Sequence, residues 1–228
     1  MKKQLLKPVL EIDFRPNFSR GADKEGVDPF QAFQSMIGHF AHVALGPHFW
    51  FIADTVDGSA HSIGGMLEEM MPFSEEAFLQ NSTGLLFQNS HPVDITHLFA
   101  FTNYWVQFYM ALPPEKKPHV HATIYLRMLN KNKEYRWVMV QYADSLFNQE
   151  GKIVYGLTLV TDISHIKQNG DAMMSILDTS DQRCQQFYCI DQQTRLTESM
   201  DVPEISKREQ DVLLLLIKGY SSKQIAAE

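Results

Sequence analysis

His119-Val120-His121 sets two imidazoles at i and i+2, which on an extended strand share one face and could supply two ligands to a divalent metal. A metal site needs further ligands, and no later segment offers an obvious third, so solvated strand-end histidines are the expected state and no metal is assigned. His39 and His42 fall on a predicted helix and are read as surface positions. Cys184 and Cys189 are the only thiols. They are too few for a disulfide framework and lack the second pair that a zinc site would need, which fits a reducing compartment. Phosphate chemistry would want a Gly-rich loop and acyl transfer a nucleophile elbow, and the chain has neither. Glu134, Arg136 and Asp144 fall in predicted strands and read as exposed strand-face charges without catalytic pairing. No catalytic residue is assigned, and the chain is read as a protein without enzymatic activity.

The elements that hold these side chains alternate in texture. Residues before Gly26 are unpatterned and read as an extended or partner-swapped arm. Asp28-Pro29 pairs a cap with proline at the first helical position, and Phe30, Phe33, Ile37, Phe40 and Ala44 recur along one helix face. That stripe either closes a core or meets a second subunit. His48 to Val56 and Ser62 to Leu67 read as a hairpin turned at Asp57-Gly58. Ser74 caps a short helix, and Asp94 opens a longer one through Leu98, Phe101, Trp105 and Tyr109 until Pro113-Pro114 stops it. Three long strands follow. In the first, Val120, Ala122, Ile124, Leu126 and Met128 face one way and His121, Thr123, Tyr125 and Arg127 the other. Asn130 to Lys133 and Asn148 to Gly151 turn the chain into an antiparallel meander that ends at Thr161. Met173 to Asp178 and Gln186 to Asp191 suggest an extra hairpin of unassigned role, and residues 192–204 a linker.

Composition bounds the partners. With 228 residues, 44% hydrophobic and 21% charged, the chain can bury a sizeable core. A formal charge of −7 argues against a surface-wide grip on nucleic acid, because that affinity comes from many cations neutralising phosphates. The basic start Met1-Lys2-Lys3 is broken by Lys7, Pro8 and Glu11 and is not a signal peptide. The longest apolar run, Val212 to Ile217, is far short of the ~20 residues that cross a bilayer. A cytoplasmic protein without a membrane role is expected.

The tail carries two helix starts. Ser206 and Glu209 form a capping box, Val212, Leu213, Leu216 and Ile217 follow at helical spacing, and Gly219 supplies a left-handed stop. Ser221 and Gln224 repeat the box, with Ile225 and Ala226 facing inward. As a pattern, Ser206 to Ala226 resembles the opening of the LuxR-type helix-turn-helix domain. The resemblance implies that Ser206 to Tyr220 is the first helix and Ser221 to Glu228 the scaffold helix of the reading motif. The recognition helix would follow Glu228, so about a third of the family domain is covered. It implies DNA as partner through the complete domain, read as a homodimer, with Ser221, Ser222, Lys223 and Gln224 as the part of the contact set in hand.

The middle resembles a second family. Strand, strand, helices, then three antiparallel strands is the order of a PAS sensor domain. His91-Pro92-Val93-Asp94, the strand-turn-strand from Arg127 to Trp137, and the close Thr161-Asp162-Ile163-Ser164 are similar to PAS stretches in that order. The implied fold is α+β, an antiparallel sheet with helices on one face, followed by the start of an all-α helix-turn-helix. The implied division is an arm and helix at 1–45, a PAS-like domain at 46–167, the extra hairpin and linker at 168–203, and the partial helix-turn-helix at 204–228. PAS pockets can hold haem, flavin or small metabolites. Flavin photochemistry in this family needs a cysteine on the central helix, and Ser82 to Gln88 has none. Haem needs an axial ligand, for which His97 is the candidate, although a lone histidine near a helix start is expected to cap or to be solvated. The start of a cupin metal motif is similar to His119-Val120-His121, but Leu126 stands where that motif wants a carboxylate. The cofactor is left unnamed, with haem, flavin and metal each argued against. The resemblance admits a small-molecule signal, held by Phe51, Phe87, Phe101, Trp105, Ile124, Tyr125, Trp137 and Leu157, against the plainer reading of a filled core. The function expected is a DNA-binding transcription regulator whose PAS-like domain senses or dimerises. The alternative is a sensory and dimerisation module without DNA binding.

Overall fold

The computed structural model describes residues 3–10, 26, 28–55, 58–180, 183–189, 208, 212, 215 and 222–225. The chain divides into two units, Met1–Gln192 and Gln193–Glu228. In the first unit the strands are β1 (Lys3–Leu6), β2 (His48–Asp54), β3 (Ala60–Gly65), β4 (Val120–Leu129), β5 (Tyr135–Phe147), β6 (Ile153–Asp162), β7 (Met173–Asp178) and β8 (Arg183–Cys189). They form one eight-stranded sheet in the order β1-β8-β7-β4-β5-β6-β2-β3, with β1 parallel to β8 and every other pair antiparallel. The segment read as a free or swapped arm therefore begins as a strand of its own chain's sheet. The extra hairpin is likewise a continuation of that sheet, joined to β4 through β7.

The helices are α1 (Pro29–Val43), α2 (Leu67–Met70), α3 (Glu75–Gln88) and α4 (Ile95–Met110). Asp28 caps α1 by accepting from the Phe30 and Gln31 amides, and Pro29 sits in the first turn, where its missing donor costs nothing. Ser74 caps α3 as expected, but that helix runs on to Gln88 through a kink at Asn81. The turn position Asp57 lies outside the described residues, while Gly58 turns the chain at a φ of +80°.

Period-two alternation sorts the sheet into two faces. From β2, Phe49 and Phe51 turn inward with Ile124 and Leu126 of β4, and Leu67, Phe78, Phe101 and Trp105 of α2 to α4 close over them. Ile52 of β2 and Leu157 and Leu159 of β6 turn the opposite way, onto Phe33 and Phe40 of α1. Helices α2 to α4 thus share one face and α1 takes the other. The aromatic stripe of α1 closes a core, since Phe33 is 1% exposed. Phe30 of the same stripe stays 41% exposed. The hairpin supplies Met174, Ile176 and Phe187 to the inner core.

Candidate functional site

Strands β4 and β5 pair from Leu129↔Tyr135 to Ala122↔Tyr142 and then part. Past that point β4 stays bonded to β7 at Val120 and His121, while β5 continues along β6 to Phe147. The divergence follows from a bulge in β5: Tyr142 pairs with Thr158 and Asp144 with Leu157, leaving Ala143 extra. A pocket of about 160 Å³ fills the gap. The end of α4 supplies Trp105 and Tyr109, and α1 supplies Met36. The turn Lys117–His119 supplies Lys117 and Pro118, and the two strands give Val120, His121 and residues 142–145.

The walls are aromatic and carry opposite charges. Trp105 lies 4.7 Å from Tyr109 and 6.1 Å from Tyr142 between ring centroids. Tyr142 shares a 3.1 Å hydrogen bond with Thr102. Burial raises the Tyr142 phenol above its ordinary pKa, with the Thr102 bond opposing. Burial raises Tyr109 too, and the Asp144 carboxylate adds to the shift. Both phenols therefore stay protonated at neutral pH. The Lys117 ammonium stands 4.4 Å from the Phe147 ring centre and 5.6 Å from that of Tyr109, a cation on aromatic faces.

Of the eight residues named as a ligand lining from sequence, the structure brings Trp105 to this pocket. Phe51, Phe101 and Ile124 are buried in the inner core, and Phe87 packs near them, edge-on to Phe99 at 4.7 Å. Tyr125 and Trp137 cluster with Met139 and Ile163 on the other face, where Lys167 stands 4.2 Å and Arg127 5.5 Å from the Trp137 ring centre. Leu157 packs on α1. The set could not have shared one surface, because strand neighbours such as Ile124 and Tyr125 point to opposite faces. Sequence reading missed Tyr109, Lys117, Tyr142 and Asp144 as one group. The lysine-rich run before β4 was a signal for Lys117, but the bulge that gathers the others has no local signature.

Three further side chains differ from expectation. His97 neither caps α4 nor meets solvent: it is buried, with its ring edge-on to Phe101. Asp94 stands at the start of α4 without capping it. Its carboxylate instead accepts from the Arg127 amide, Nε and Nη2, at 2.9, 2.9 and 2.6 Å. His119 lies in the turn before β4 rather than on it, so it and His121 do not share a strand. Among the described residues, no group of three His, Cys, Asp or Glu is placed to hold a metal.

In the second unit Arg208, Val212 and Leu215 are helical, and Ser222–Ile225 form α5 with Ile225 buried. Ser206, Glu209, Gly219 and Ser221, and the side chains of Ser222 and Lys223, lie outside the described residues, while Gln224 is exposed. No helix among the described residues is long and apolar enough to cross a membrane.

The run β2, β3, α2 to α4, β4 to β6 has the order that the PAS resemblance implied, so the first unit has a PAS-like α+β fold. No family model matches the chain, and no curated protein matches it. Solved structures do. One is the N-terminal domain of a diguanylate cyclase with PAS/PAC sensor from Marinobacter aquaeolei, 14% identical, TM-score 0.40, over 52% of this chain and 96% of that one. Another is wild-type Drosophila melanogaster Cycle PAS-B with bound ethylene glycol, 16% identical, TM-score 0.38, over 50% and 99%.

Proposed function

We propose that this chain is a DNA-binding transcription regulator in which the PAS-like unit senses a small molecule and pairs two copies, while residues 204–228 open a LuxR-type helix-turn-helix. It has no catalytic role in this reading. The observation that carries it is the tail: Arg208, Val212 and Leu215 are helical, and α5 lies where the second capping box sets a helix start. A signal at the pocket bears on α4 and β5, and a shift there would change how two DNA-reading heads are spaced against paired half-sites.

The test is a gel shift with the chain continued through a complete helix-turn-helix, against pooled genomic fragments over a salt series. Retardation that weakens steeply with salt is expected. No retardation at low salt would remove the DNA role and leave the second reading, a sensory and dimerisation module. Charge favours that second reading, since Lys207, Arg208, Lys218 and Lys223 are balanced by Glu204, Glu209, Asp211 and Glu228. Pairing is read separately by sedimentation. With Phe33 in the core, the informative α1 position is Val43, which is 63% exposed. Val43→Asp should halve the sedimenting mass, and an unchanged mass would place any dimer surface elsewhere.

A further inference from the structure

Where a strand parts from its neighbour, backbone donors and acceptors are left facing the gap. Past Tyr142 this happens to β5, and the Ser145 N–H bonds at 2.7 Å to the carboxylate of its own neighbour Asp144. The gap also faces two charges of opposite sign. Lys117 rests on aromatic rings, and among the described residues no carboxylate forms an ion pair with it. Asp144 is exposed and has no cation paired to it among those residues. The apolar surface of Trp105, Tyr109 and Met36 lines the same cleft. A cation, an anion and an aromatic lining in one cleft match a ligand that carries both charges and an apolar group. The cleft of about 160 Å³ is close to the volume of a cavity that takes up a benzene, so it can cover the apolar side chain of one amino acid and is too small for a haem or a flavin.

We propose that this cleft binds a free α-amino acid with an apolar side chain. The Lys117 ammonium takes the carboxylate, Asp144 takes the amino group, and Trp105, Tyr109 and Met36 cover the side chain. The assignment rests on the sensory reading above and names its signal. A ligand with only a carboxylate would meet Asp144 as a like charge, and one with only an amine would meet Lys117 so. The zwitterion satisfies both.

Calorimetric titration of the whole chain with L-phenylalanine and L-leucine tests this. Saturable binding is expected with both. Lys117→Ala and Asp144→Asn should each weaken it about tenfold or more, the usual loss when one partner of a charge-assisted hydrogen bond is removed. Lys117→Arg, which keeps the charge, should bind within a few-fold of the parent. 3-Phenylpropionate and 2-phenylethylamine, each lacking one charge, should bind at least about tenfold more weakly than phenylalanine. Asp144 is exposed and Lys117 half-buried on aromatic rings, so a cooperative thermal transition of each variant is the check that it folds. Absence of saturable heat with both amino acids overturns the proposal. So does equal binding of either single-charge analogue, or binding indifferent to both charge-removing substitutions. The gel shift is independent of these titrations, so loss of the amino-acid site and loss of the DNA role are told apart.

Discussion

Asp94 shows how one carboxylate ties a helix to a sheet. Its side chain is 1% exposed and accepts three hydrogen bonds from Arg127, whose side chain is 27% exposed. Removing one partner of such a pair strands the other, and Asp94→Ala should cost about 3 kcal/mol, the low end for buried pairs because Arg127 is partly solvated. Urea unfolding at neutral pH measures it. Cys189 gives a second prediction at this scale. Burial pushes its thiol up from 9.0 to about 12, so from around pH 9 upward the unfolded chain ionises while the folded one does not. Its contribution is whole below that range and is lost as pH climbs toward 12. Cys189→Ala should flatten this alkaline decline in stability, and a decline unchanged by the substitution would assign it to other groups. The sequence marked Asp94 as important for the wrong reason: the position is that of a cap, but only the fold brings Arg127 beside it.

Helix α1 is the element whose placement was least legible. Its apolar spacing was plain, yet spacing cannot say whether a stripe meets its own sheet or another molecule. What decides is the outward row Ile52, Leu157 and Leu159, which needs a cover. Phe33→Ala should therefore lower stability by about 3 to 5 kcal/mol without an oligomer change to explain it. Asp28→Ala, which removes only the cap, should cost about 1 kcal/mol. Thermal unfolding of both variants at several protein concentrations checks this, since a subunit role for Phe33 would make its loss concentration dependent. By contrast the β4 to β6 meander was legible almost residue by residue, because alternation and turn residues act within a few positions. The bulge at Ala143 was not, since it shows only as a register shift against β6.

At the scale of the molecule, the hairpin β7-β8 is part of the body rather than an appendage. Phe187 is fully buried, and its ring lies 4.7 Å from Tyr104 of α4. Phe187→Ala should cost about 3 to 5 kcal/mol and lower a single cooperative transition of the first unit. A separate early transition of the hairpin would contradict this. Two adjacent turn-linked strands were readable as a hairpin, but their partners lie far along the chain and leave no mark on local pattern. The pairing of β1 with β8 is the extreme case, since Lys3 stands opposite Gln186. During synthesis β1 must wait, unpaired, while the more than 170 residues up to β8 follow before it can dock. Until Cys189 emerges, β7 has no outer neighbour, so nascent chains stalled short of that point should be the ones that chaperones hold and proteases clear.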